Sequence, residues 1–219
     1  VFKKNNGQIE KRSIEDAKKL LLKAGYDNGI DKKTGKPLIL YFEATGAGAD
    51  TYAFLNWLRK QFKKINIQLV TRVTDYNRFQ EKMINGTGQI FQWGWNADYP
   101  DPENFLFLLY SKNGKVKFGG ENASNYESEA FDKLFKQMKN MKNSQKRREI
   151  IKEMLKIVQS DSPWIWGFHP KSFSLSHGWV ENTESNLMAN NTLKYKEISY
   201  QKRSENIKLW NKPNFNLLY

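Results

Sequence analysis

The sequence predicts an α/β fold, a mixed and mostly parallel sheet flanked by helices. Three observations predict it. Over roughly the first hundred residues, the apolar pattern runs helix, strand, helix, strand, helix, strand, an alternation that implies parallel neighbours joined by right-handed crossovers. The 219 residues are 39% hydrophobic and 14% aromatic, enough for one sizeable core and too apolar for a disordered chain. No apolar run reaches the roughly 18 residues that a membrane-spanning helix needs.

Each element carries its own signal. Ser13 and Asp16 form a capping-box-like start, with Asp16 in place of the usual Glu or Gln. Ile14, Ala17, Leu20, Leu21 and Ala24 then share a helical face that stops at Gly25. After a polar loop at 27–37, residues 38–44 read as a buried strand. Gly46-Ala47-Gly48-Ala49 lacks the Gly spacing and the Lys-Ser/Thr of a phosphate loop and reads as a flexible turn. A helix over 51–65 points Phe54, Leu55, Leu58, Phe62 and Ile65 inward, and a second strand follows at 67–73. Asp75 caps a short helix with Tyr76, Phe79 and Met83 on one face, ended by Asn85-Gly86.

The densest stretch comes next. Ile90, Phe91, Trp93 and Trp95 read as a strand. Pro100 and Pro102 then remove backbone donors and fix φ, so the strand must enter a stiff turn. That turn displays Asp98, Asp101 and Glu103 beside Trp95 and Tyr99. It is either a surface turn built of ordinary turn residues or a binding site at a sheet edge.

Beyond it, 103–110 is apolar and helical, 111–122 is a Gly/Lys/Asn loop, and 127–141 is a helix on Ala130, Phe131, Leu134, Phe135, Met138 and Met141. Ser144 caps another helix carrying Ile150, Ile151, Met154, Leu155 and Val158, which stops before Pro163. This pair is expected to cover one face of the sheet, in preference to acting as a helical-hairpin interaction module. A strand is expected at 164–169 and a half-exposed one at 193–199. The tail 201–219 either wraps another surface or is disordered. Lone His169 is read as a polar end-of-strand residue rather than a metal ligand.

The composition also limits function. Zero cysteines exclude a disulfide framework and thiolate metal sites. The net charge of +13 would allow a nucleic-acid partner, but the lysines are spread and no phosphate loop, finger or aromatic–basic platform accompanies them. A solvated lysine-rich surface is expected instead. The start, Val1-Phe2-Lys3-Lys4, shows no charged region followed by an apolar core of a signal peptide.

The string Gly94-Trp95-Asn96-Ala97-Asp98-Tyr99-Pro100-Asp101-Pro102-Glu103-Asn104-Phe105-Leu106 resembles the signature loop of the family-5 extracellular solute-binding proteins, the dipeptide- and oligopeptide-binding components of ABC importers. The phrase from Ala17 to Tyr26 is similar to a helix that precedes their C-terminal lobe, and the element order fits from about residue 13 to 200. Only the loop is specific. The resemblance implies the C-terminal portion of such a receptor, with a lobe like that of the type II periplasmic-binding-protein fold over 1–180. It implies a crossover strand and tail over 181–219 toward a missing N-terminal lobe. It also implies a periplasmic or extracellular location, membrane association through a permease or an anchor outside this chain, no cofactor and no metal.

On that resemblance the partners are a peptide or other small solute, an ABC permease in the inner membrane and the missing N-terminal lobe, with no nucleic acid. Asp98 stands three residues after Trp95, the spacing at which peptide-binding relatives hold the ligand's amino terminus. Backbone groups of Trp95, Asn96 and Ala97 would offer a strand-like edge. Trp95, Tyr99, Trp166 and Phe168 would form walls at the cleft, with His169 beside them. Relatives also carry nickel complexes, haem or sugars, so the fold does not select the solute. Asp101, Glu103 and Asn104 are read as turn and helix-start residues. Two alternatives stay open: a carbohydrate-active hydrolase using the loop carboxylates, and a basic nucleic-acid-binding domain.

Overall fold

A computed structural model describes residues 2–6, 8–184 and 191–210. An antiparallel hairpin of β1 (Phe2–Asn5) and β2 (Gln8–Lys11) leads into α1 (Ile14–Lys23). The capping box is formed: Asp16 N–H donates to Ser13 Oγ at 3.0 Å, and Ser13 N–H donates to the Asp16 carboxylate at 3.1 Å. Gly25 follows with φ +93°, the left-handed backbone that ends the helix without a Cβ penalty. The two-residue strands β3 (Tyr26–Asp27) and β4 (Ile30–Asp31) fold the expected loop into a small ribbon.

The central sheet holds β5 (Ile39–Thr45), β6 (Gln68–Thr74) and β7 (Ile90–Phe91) in the order β6-β5-β7, all parallel. Helix α2 (Ala49–Lys63) crosses from β5 to β6, and α3 (Tyr76–Ile84) crosses back to β7. Phe42, Ala44, Leu55 and Leu69 form the buried centre of this layer, with Leu58, Phe62 and Val73 packed around it. Phe54 departs from its expected inward position; it lies on the outer face stacked on Trp57.

The expected strand through Trp95 is much shorter. Phe42 pairs with Ile90 and Glu43 with Phe91, and there the ladder ends. The Gln89 side chain, not a backbone carbonyl, accepts the Tyr41 N–H at 2.8 Å. Phe91 and Trp93 turn instead onto Phe79, with edge-to-face centroid separations of 6.3 and 5.4 Å. Aromatic packing against α3 outweighs continued pairing.

Past the turn lie α4 (Glu103–Leu106), two 3₁₀ turns and α5 (Lys115–Phe118). Fully buried Asn122 knits this region, donating to the carbonyls of Tyr110 and Tyr126. Helices α6 (Glu129–Met138) and α7 (Gln145–Asp161), each capped by a serine, pack on one another. They do not cover the sheet. Phe131, Phe135, Met138, Met154 and Val158 instead close a second core around Leu106 and Leu109. The bulk of that face, aromatic on α6 and aliphatic on α7, meets the apolar 103–110 segment and needs no sheet.

The strand expected at 164–169 is absent. Pro163 and Pro170 bracket a segment with no regular structure and no partner strand among the described residues. Trp164 packs against the helical core, while Ile165, Trp166 and Phe168 stand exposed. Further on, β8 (Val180–Glu181) pairs antiparallel with β9 (Glu197–Ile198), followed by α8 (Tyr200–Trp210). The strand expected at 193–199 is thus cut to two residues, because Thr192–Tyr195 winds into a 3₁₀ turn. The tail is helical as far as Trp210; its remainder, 211–219, lies outside the described residues. Among the described residues, no helix is long and apolar enough to cross a membrane.

Candidate functional site

Parallel strands all deliver their loops to one end of the sheet. Here β5 is central, β6 lies on one side and β7 on the other, so the chain reverses its order between β5 and β7. Open α/β sheets bind ligands in the crevice outside the carboxyl ends of the strands at such a reversal. Two loops leave there: 46–48, opening α2, and 92–102, the proline-stiffened loop. Gly46 has φ +92°, and Gly48 starts α2 without a side-chain cap.

Asn104 organises the second loop. It is buried, and its side-chain oxygen accepts the Trp95 indole N–H at 3.0 Å and the Asp98 backbone N–H at 2.9 Å. Its amide nitrogen donates to Asp98 Oδ2 at 3.3 Å. One asparagine therefore fixes an indole, a backbone amide and one carboxylate oxygen. Trp95 is half-buried and also sets its ring edge-to-face on Phe107, centroids 5.4 Å apart. Asp98 is exposed, and no ion pair involves it among the described residues. In a chain of net charge +13, that leaves an oriented anion open to a cation from outside.

The other acidic residues have different tasks. Asp101 takes the Arg147 guanidinium in both oxygens, at 2.6 and 2.9 Å, and also accepts the Glu103 N–H at 2.8 Å. The arginine holds the Asp101 carboxyl below its ordinary pKa, and Asp101 in turn raises that of Arg147. Glu103 accepts the Tyr99 hydroxyl, whose bond to the carboxylate raises the phenol's pKa. Reading Asp101 as a turn residue is correct but incomplete, since no local pattern points to a partner 46 residues away. Asn104, read only as a helix-start residue, is the hub of the loop; an asparagine just inside an acidic turn was the sole hint.

Trp95, Asn96, Ala97, Asp98 and Tyr99 thus share one loop, with Asn96 exposed and Ala97 half-buried. Trp166, Phe168 and His169 lie on the separate segment after α7. Among the described residues, no hydrogen bond, ion pair or ring contact joins them to that loop; Trp166 packs only its edge on Trp164, centroids 5.3 Å apart. Trp166 is 60% exposed and Phe168 72%. Two hollows, of about 220 and 430 Å³, lie elsewhere: one between α1 and the β3–β4 ribbon, the other beside Arg59 and Lys63. No group of three or more metal-binding side chains occurs among the described residues.

These features meet in comparisons with known proteins. Residues 1–117, which include the whole 92–102 loop, match the profile of the bacterial extracellular solute-binding proteins, family 5 (middle region). Heme-binding protein A of Haemophilus influenzae is 27% identical over 161 residues, 73% of this chain and 28% of that protein. Oligopeptide-binding protein OppA of Bacillus subtilis is 27% identical over 158 residues, 72% of this chain and 28% of that protein. The chain thus spans under a third of the length of these relatives.

Among solved structures, the periplasmic binding protein DppA of Helicobacter pylori, in complex with the peptide STSA, aligns with a TM-score of 0.60 at 25% identity. That alignment covers 74% of this chain and 30% of that one. NikZ of Campylobacter jejuni, in complex with Ni(L-His), aligns at 0.60 and 21% identity, over 71% and 32%, and speaks to the fold alone. The fold is the type II periplasmic-binding-protein fold. These relatives are named for the solutes they bind, which speaks against the hydrolase alternative. The chain belongs to the bacterial extracellular solute-binding proteins of family 5.

Proposed function

We propose that the chain supplies one wall of a cleft that binds peptides or similar small solutes for delivery to a membrane permease. Asp98 holds the ligand's ammonium group. One observation carries this reading: Asp98 is exposed, has one carboxylate oxygen steadied by Asn104, and lacks a cationic partner among the described residues. A pre-oriented carboxylate loses little freedom when it takes an ammonium in a charge-assisted bond. Backbone groups of Trp95, Asn96 and Ala97 offer main-chain bonding that is blind to side-chain identity. Trp95 and Tyr99 stand beside them.

Trp166, Phe168 and His169 extend that wall, a placement supported by their exposure. Residues 1–180 act as the binding lobe. Residues 181–219 lead toward a partner lobe, against which the cleft closes as a hinge. Membrane association comes through the permease or through an anchor outside this chain. Relatives named for haem, oligopeptides and dipeptides share the family, so the solute is set by side chains of the cleft and not by the fold.

Calorimetry on a receptor containing this chain tests the reading. Asp98→Asn should weaken short peptides with a free amino terminus by on the order of tenfold. It should leave amino-acetylated peptides unchanged. Equal affinity of the wild type and the variant for free-terminus peptides overturns the assignment.

A further inference from the structure

We propose that Arg147, a residue of α7 far from the loop in sequence, is the positioning residue of the binding loop. The inference rests on the reading of that loop given above.

The observations form one chain of contacts. Arg147 is only 2% exposed, although it stands in the first turn of α7. All three of its guanidinium nitrogens are engaged. Nε donates to the Met138 carbonyl at 3.3 Å, at the end of α6, and Nη1 donates to Asn143 Oδ1 at 2.9 Å. Nη1 and Nη2 together clasp Asp101. The arginine therefore ties three places at once: the last turn of α6, the α6–α7 corner and the loop.

Asp101 passes the constraint on. Its Oδ1 also accepts the Glu103 N–H, and its backbone carbonyl accepts the Asn104 N–H at 3.0 Å. Asn104 then holds Trp95 and Asp98. From Arg147 to the Asp98 carboxylate there are only two relays, Asp101 and Asn104, and each bond in the series is 3.3 Å or shorter.

The geometry also explains why an arginine stands there. A bidentate fork fixes both distance and plane, which a single ammonium cannot do. Stability alone would not require that. The helical core is already closed by Phe131, Phe135, Met138, Met154 and Val158. What the fork adds is the angle at which the proline-stiffened loop leaves that core. Loops that position ligands need such fixed supports, because a small misplacement at the contact atoms is costly.

The test is nuclear magnetic resonance of the chain without ligand, followed by calorimetry on a receptor containing it. Arg147→Lys keeps the charge and loses the fork. Asp101→Asn is a near-isosteric second variant should the first not fold. Val158→Ala, deep in the same core, serves as a control of comparable destabilisation.

The expected result is that both latch variants shift or broaden the Trp95 indole and Asn104 side-chain amide signals, while Val158→Ala leaves them in place. With the solute contact intact, peptide affinity should then fall on the order of tenfold in Arg147→Lys. Latch variants that move these signals no more than Val158→Ala does overturn the proposal. If the signals move while Asp98→Asn and Arg147→Lys both bind peptide normally, the positioning role stands. In that case it is the ammonium-binding role of Asp98 that fails.

Discussion

The side-chain oxygen of Asn104 accepts the indole N–H of Trp95 at 3.0 Å, and both groups lie at least partly out of water. The two residues stand nine positions apart in sequence, so this bond closes the loop on itself. The same oxygen takes the Asp98 N–H, which makes Asn104 a single point whose loss frees three groups.

Asn104→Ala should therefore leave a half-buried indole donor unpaired and lower unfolding stability by about 1–3 kcal/mol. Urea denaturation measures the loss. Tryptophan emission of the folded variant should also move to longer wavelength as Trp95 gains contact with water. Unchanged stability and emission would mean that the loop is held by its prolines and not by this bond.

Acid dependence follows from the clasp between Asp101 and Arg147. Arg147 holds the Asp101 carboxyl below its ordinary value, so the folded chain binds that proton less tightly than the unfolded chain. The stabilisation is whole above the unfolded value of about 3.9 and is lost as pH falls through the lower folded value. Melting temperatures of the wild type and Asp101→Asn should stay apart between about pH 6 and 8 and converge in strong acid. A gap that persists unchanged into strong acid would remove the carboxylate's charge from the explanation.

Glu43 poses a sharper question for the sheet. It is 1% exposed within β5 and held by Lys82 at 2.5 Å and Arg72 at 3.4 Å, with Arg72 lying over the Tyr41 ring. Lys82→Met removes the nearer cation and strands much of a buried charge, which should cost about 3 kcal/mol. Glu43→Gln in the Lys82→Met background should recover part of that loss, because the uncompensated charge is gone. Chemical denaturation of the single and double variants reads both effects.

The two cores share no residue, which has a measurable consequence. Leu55→Ala in the sheet core and Met154→Ala in the helical core should each cost about 2–5 kcal/mol. Their losses should add to within about 0.5 kcal/mol in the double variant. Strong non-additivity would show that the two layers exchange packing strain.

Local signals that depend on neighbours in sequence were legible. Ser13, Asp75 and Ser144 cap helices as their residue types require, and each accepts the backbone N–H three residues on. The parallel sheet followed from the alternation of elements, and the acidic aromatic loop was visible at once from Trp95, Asp98 and the two prolines. The errors fell where distant partners decide. Nothing in the run from Ile90 to Trp95 says that Trp93 will leave the strand for Phe79 and Lys115. Nothing in Trp164 to His169 says whether a neighbouring strand exists to pair with it.

Periodicity, caps and turn chemistry act over three or four residues, so the amino-acid order alone settled the longer helices through α7, where most of them start and which loop carries the exposed acid, but not α8, whose segment reads only as a polar tail. Three-dimensional packing decided the rest: that α6 and α7 close on 103–110 and not on the sheet, and that Asp101 belongs to Arg147 while Asp98 meets no cation among the described residues. The physical reason is that burial energy and charge pairing depend on distance through space. A carboxylate cannot be sorted into latch or ligand site until the fold shows which one meets a cation.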